Sequence, residues 1–154
     1  MPSFEDTQTQ RRSRAEDGFT LIEILVVIMI IGVLTAIALP AFFNQRNKAT
    51  DAQAKTNLVT AEKAIEAYFT DERSYATASM IAPSGPTSLR VIEPSLNNSP
   101  VPTIAAQTKD TYSFEVVSTS SSPVTYGLDR DSNGVISRTC SPAATGGCRP
   151  SGTW

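Results

Sequence analysis

From Ile24 to Phe43 the chain runs for about 20 residues without a charge, and no other feature limits the fold as much. As a helix this run is about 30 Å long, the thickness of a bilayer's hydrocarbon core. Mean hydropathy over the whole chain is only −0.12, so one intense apolar block stands in an otherwise polar sequence. That pattern reads as a single membrane span rather than a polytopic protein. Glu23 is the one charge near the start of the run. An ionised acid deep in a membrane helix costs about 2.5–3.5 kcal/mol on insertion scales, so it needs a partner. The nearest candidate is the nitrogen of Phe19, four residues earlier, which becomes a cationic amine if the chain is cut after Gly18.

Gly18-Phe19-Thr20-Leu21-Ile22-Glu23, followed by the long apolar run, resembles the prepilin processing motif of type IV pilins and of the pseudopilins of type II secretion and DNA uptake. The resemblance covers roughly Gly18 to Tyr75, and Pro40 falls where that family has a helix-bending proline. It implies leader removal after Gly18 by a prepilin peptidase, which then methylates the new amine of Phe19. It also implies that Glu23, Gly32 and Pro40 serve assembly into a homo-oligomeric filament on an inner-membrane platform. Residues 1–18 read as a cytoplasmic leader carrying Arg11, Arg12 and Arg14, together with Glu5, Asp6, Glu16 and Asp17. The competing signal-peptidase pattern, Ala36-Ile37-Ala38, lies inside a span too long for an ordinary signal peptide.

Within the run, Gly32, Ala36 and Pro40 recur every fourth residue and so share a helix face where another helix can approach. Pro40 removes its own N–H bond and is expected to bend or loosen the helix. The expected organisation is a leader (1–18), a membrane and assembly helix (19–45) and a globular head (46–154). In the head, Ala54, Leu58, Ala61, Ile65 and Tyr68 recur at intervals of four and three, the stripe of an amphipathic helix over 46–70. Lys55, Glu62, Lys63 and Glu66 are placed on the opposite face. Glu62 and Glu66 are like charges one turn apart, which is mildly unfavourable. One long helix from Phe19 to about Thr70 is therefore predicted.

Residues 71–110 carry Pro83, Pro86, Pro94, Pro100 and Pro102 and read as loop, with one short element at 88–92. Three strands follow, over 111–118, 124–128 and 135–140, the last two joined at Asn133-Gly134. The fold class is α+β and pilin-like: a long N-terminal helix whose stripe is covered by a small antiparallel sheet.

Cys140 and Cys148 are the only cysteines and lie close together. Two thiols without histidine make a poor metal site, and the spacing is not that of a redox motif, so a structural disulfide in an oxidising compartment is predicted. Asp129-x-Asp131-x-Asn133-Gly134 matches the opening of a calcium loop, but its twelfth position is Cys140 rather than glutamate. A polar hairpin turn explains the same residues; the resemblance keeps calcium open, because some type II secretion pseudopilins bind it near their C-termini.

The formal net charge of −2 offers no basic field for nucleic acid, and the chain has no histidine. No nucleophile–base pair or phosphate loop stands out, and no enzyme or cofactor is read. The expected role is a structural subunit, held in lipid as a single-pass inner-membrane protein and then polymerised into an extracellular pilus. The alternatives are a pseudopilin of a type II secretion or DNA-uptake system and a membrane-anchored binding module that never polymerises.

Overall fold

The computed structural model describes residues 18–80 and 88–154. The leader readings at 1–17, and Pro83 and Pro86, lie outside the described residues. The chain divides into two compact units, one ending at Leu39 and the other running Pro40–Trp154.

Helix α1 spans Leu21–Glu72. Its start is set by Thr20, whose Oγ1 accepts the Glu23 N–H at 3.3 Å, a side-chain cap for one of the amides that a helix leaves unpaired. Thr20 and Glu23 have the spacing of a capping box, so the helix opens after Thr20 rather than at Phe19. It ends where Arg73 turns left-handed (φ 53°) and its N–H bonds to the Phe69 carbonyl at 2.8 Å, two residues beyond the expected Thr70. Pro40 sits inside α1.

In the second unit the predicted stripe is the core. Ala54, Leu58, Ala61 and Ile65 are fully buried and Tyr68 nearly so. They meet a four-stranded antiparallel meander, β1 (Thr103–Gln107), β2 (Tyr112–Val117), β3 (Thr125–Arg130) and β4 (Ile136–Ser141), in sheet order β1-β2-β3-β4. Along β2, Tyr112, Phe114 and Val116 alternate inward against the stripe. The sheet thus has one strand more than expected. β1 lies in the proline-rich stretch read as loop, starts immediately after Pro102, and pairs with β2 through a register shift between Ile104 and Ala106. As an edge strand it has one neighbour only, so Ala105 and Ala106 suffice where a central strand would need larger side chains.

The remaining connection is pinned rather than loose. A short helix α2 (Leu89–Ile92) and a 3₁₀ turn (Pro94–Asn97) bury Leu89 and Leu96 completely. Asn57, buried on α1, donates from Nδ2 to the Pro100 carbonyl at 2.6 Å and accepts from Gln53 at 2.7 Å. A buried amide in this setting must be paired, and here both its ends are.

Truncating a fully enclosed stripe residue removes apolar contact and leaves a cavity. Leu58→Ala is expected to destabilise the head by about 2–5 kcal/mol, whereas Lys63→Ala on the exposed face stays within about 0.5 kcal/mol. Thermal and denaturant melting of the detergent-solubilised chain, followed by the near-ultraviolet signal of the head's aromatics, measures both.

Candidate functional site

Gly18 and Phe19 precede the first helical turn, and Phe19 is 80% exposed. Glu23 stands exposed in that first turn, where the helix dipole favours an acid. From Leu21 to Leu39 every residue is exposed, and the most apolar 18-residue window has a mean hydropathy of 2.9. By length and composition this part of α1 can cross a membrane. Within it the Thr35 hydroxyl donates to the Ile31 carbonyl at 2.7 Å. Gly32 has open space where a Cβ would stand, so nothing among the described residues requires a glycine there.

In the head, Cys140 and Cys148 are joined by a disulfide, as predicted. The loop they close is also gripped by α1. Asp51, 2% exposed, accepts the Gly147 N–H through Oδ2 at 2.9 Å, and Lys55 donates from Nζ to the Gly147 carbonyl at 2.6 Å. A side chain at Gly147 would meet the Lys55 amine and the Tyr126 hydroxyl, so the close approach depends on glycine. Lys55 also lies over the Tyr126 ring, 5.0 Å from its centre. Burial lowers the Lys55 pKa, and the Asp51 carboxylate partly offsets this. Burial, and then Asp51, push Tyr126 up to about 12.

Glu62 and Glu66 are not the outward-facing repulsive pair the sequence suggested. Glu66 reaches the sheet: Oε1 lies 3.4 Å from Arg130 Nε and accepts the Tyr112 hydroxyl at 3.1 Å, while Oε2 accepts the Tyr75 hydroxyl at 3.0 Å. Glu62 lies 3.5 Å from Arg138. Each carboxylate thus has its own arginine on β3 or β4. Burial, with the Glu66 bond next, raises Tyr75 to about 12; burial and the Glu66 charge raise Tyr112 further. Phe69, Tyr75, Tyr112 and Phe114 follow one another around this node with ring centres 4.5, 4.9 and 5.4 Å apart, the first pair stacked, the second edge-to-face and the third tilted.

The proposed calcium residues form a hairpin turn. The Asp131 carboxylate accepts the N–H groups of Asn133 (2.9 Å) and Val135 (2.8 Å), and these bonds lower its pKa. Asp129 lies on β3 and accepts a hydrogen bond from Ser113. Only Gly134, not Asn133, takes the left-handed conformation, with φ 83°. Among the described residues no group of three or more His, Cys, Asp or Glu side chains is placed to hold a metal ion. The turn engages one oxygen of the Asp131 carboxylate, Oδ1. Trp154 is anchored on the sheet: its indole N–H donates to the Gly127 carbonyl at 3.0 Å, and Arg138 lies over its ring.

A capped apolar helix of membrane length, continued by a stripe that packs on a small antiparallel sheet, defines a pilin-like protein. The family described as the prokaryotic N-terminal methylation motif matches residues 13–39. Relatives include the type II secretion system core protein G of Aeromonas hydrophila, 35% identical over 66 residues, covering 43% of this chain and 46% of that protein. The core protein G of Escherichia coli K12 is 39% identical over 67 residues, 44% of this chain and 46% of that protein. The type IV major pilin protein PilA of Myxococcus xanthus is 41% identical over 59 residues, 38% of this chain and 27% of that protein. The chain spans less than half the length of these curated relatives. No solved structure matches it. Motif, helix and sheet together make this chain similar to type IV pilins and type II secretion pseudopilins.

The disulfide closes a loop of about nine residues, for which chain entropy predicts roughly 2–3 kcal/mol. The Cys140→Ser, Cys148→Ser double variant is expected to lose that much stability in denaturant melting. The tyrosines predict a separate loss in alkali. Their folded pKa values are raised, so the folded state keeps its protons after the unfolded chain has lost them. Stability is therefore full below about pH 10 and falls as the pH climbs toward 12. Tyr75→Phe should flatten part of that fall in melts taken from pH 8 upward.

Proposed function

We propose that this chain is a polymerising filament subunit: a prepilin cut after Gly18, methylated on the Phe19 amine, anchored in the inner membrane by the apolar part of α1, and then assembled into an extracellular type IV pilus. The observation that carries this is the complete exposure of Leu21–Leu39. That surface needs lipid or other copies of the same helix to cover it. Gly32 supports the second kind of cover, since its missing side chain serves no contact among the described residues. Glu23 then pairs with the Phe19 ammonium of a neighbouring subunit, which relieves two desolvated charges and fixes axial register. The partners this requires are a prepilin peptidase with methyltransferase activity and an inner-membrane assembly platform. A disulfide-closed head suits export beyond the cytoplasm.

A second reading, a short pseudopilus retained in the cell envelope, is favoured by the relatives that bear the name type II secretion system core protein G. The two differ in where the fibre goes. Pilin is expected in the fraction sheared into the medium, and pseudopilin in the envelope.

Glu23→Ala is expected to leave membrane insertion and cleavage intact and to abolish fibres in electron micrographs of the producing cells. Mass spectrometry of the wild-type mature chain should begin at methylated Phe19. Normal fibres from the Glu23→Ala strain would remove the proposed pairing, and an N-terminus at Leu39 would remove the processing step.

A further inference from the structure

The head end that directly follows the apolar run carries two cations with no salt-bridge role in the fold. Arg46 and Lys48 are exposed, and among the described residues the salt bridges are Arg130–Glu66 and Arg138–Glu62. Between them Asn47 fixes the loop at 118–122, donating from Nδ2 to Ser121 Oγ at 2.7 Å and accepting the Ser121 N–H through Oδ1 at 3.1 Å. This seam separates two grooves. One, of about 440 Å³, is bordered by Lys48, Asn44, Ser120, Ser122 and Thr145. The other, of about 350 Å³, is bordered by Arg46, Thr50, Thr119 and Ser121, with Phe43 on its apolar side. Each groove pairs one cation with several hydroxyl or amide donors, the chemistry that receives a phosphate oxygen.

One acid touches this region. Asp51 borders the Lys48 groove, but its Oδ2 is held by Gly147, its Oδ1 is buried, and Lys55 lies one turn further along the helix. Residues 40–50, 116–128 and 141–154 contain no acid at all. The depth is also right for lipid. Arg46 and Lys48 lie three and five residues past Phe43, or about 4.5 and 7.5 Å along a helix. A bilayer's headgroup layer extends about 5–8 Å beyond the hydrocarbon on each side.

We infer that the Arg46 and Lys48 grooves bind the phosphates of anionic phospholipid headgroups and hold the head against the bilayer surface while the subunit is stored as a monomer. This rests on the membrane-anchored stage of the proposed function. Entry into a filament would then exchange headgroup contacts for contacts with other subunits, so the anionic lipid content of the membrane would affect how readily subunits leave it.

The test uses the full chain in nanodiscs containing equal phosphatidylglycerol and phosphatidylcholine, with native mass spectrometry counting the lipids retained on the released protein. Phosphatidylglycerol should be retained over phosphatidylcholine by roughly tenfold or more, the order expected of two surface cations. The double variant Arg46→Gln, Lys48→Gln should lose most of that preference, and Lys63→Gln, which removes an exposed cation elsewhere on the head, should keep it. Equal retention of the two lipids by the wild type overturns the proposal without involving any variant. A loss in Lys63→Gln equal to that in the double variant also overturns it, because the preference would then reflect overall charge. A chain that fails to enter the nanodisc removes the membrane-anchored stage itself, and this inference with it. Insertion with equal retention removes the inference alone.

Discussion

Leu21 to Leu39 presents an apolar surface, interrupted by the charge of Glu23, that nothing among the described residues covers, and every other feature has to be compatible with that fact. Removing apolar surface from water is worth about 25 cal/mol per Å², so a surface of this extent cannot stay in water. Lipid can cover it. Copies of the same helix can cover it too, but replacing lipid by helix brings little hydrophobic gain, because both are equally apolar. What distinguishes the two environments has to come from packing and from the few polar atoms the segment carries. That reasoning gives Gly32 and Glu23 their place in the proposed assembly.

The head solves a different problem with the same helix. Its stripe is narrow, with small residues at Ala54, Ala61 and Ala64, and hydrogen bonds run from the helix to the surrounding loops and sheet. They do so at three levels along α1: Asp51 and Lys55 hold the disulfide loop through Gly147, Asn57 holds the Pro100 segment, and Glu66 collects Tyr75, Tyr112 and Arg130. An apolar stripe alone would tolerate sliding of the helix over the sheet. Polar partners at fixed heights do not, since displacement would leave buried groups unpaired.

This division explains which parts could be read from the sequence. Periodicity reports which face of an element is apolar, so Ala54, Leu58, Ala61, Ile65 and Tyr68, together with the alternation of Tyr112, Phe114 and Val116, announced the core. The disulfide followed from the proximity of Cys140 and Cys148. Pairing by polar groups has no period. Glu62 and Glu66 looked like solvated neighbours because their arginines lie 76 and 64 residues further on, and only the meander brings those residues back. β1 was invisible because an edge strand among prolines needs neither alternation nor bulk. The cap was legible but overlooked: Thr20-x-x-Glu23 is a helix-start signal lying inside the processing motif.

The overlap of cap and motif bears on how one acid can serve the proposed assembly. A helix beginning in lipid has unpaired amides at its first turn, and no water is present to satisfy them. An N3 glutamate could turn back toward those amides, as in a capping box. Here the Glu23 N–H is already taken by Thr20, through Oγ1 at 3.3 Å and the backbone carbonyl at 3.2 Å. The carboxylate stands exposed in the first turn with no salt-bridge partner within the described chain. The hydroxyl thus serves the helix and leaves the acid available. On the proposed reading, that acid is what a neighbouring Phe19 ammonium finds when both leave the headgroup region. Thr20 and Glu23 then form one device, with the first residue satisfying the backbone of its own chain and the second addressing the next.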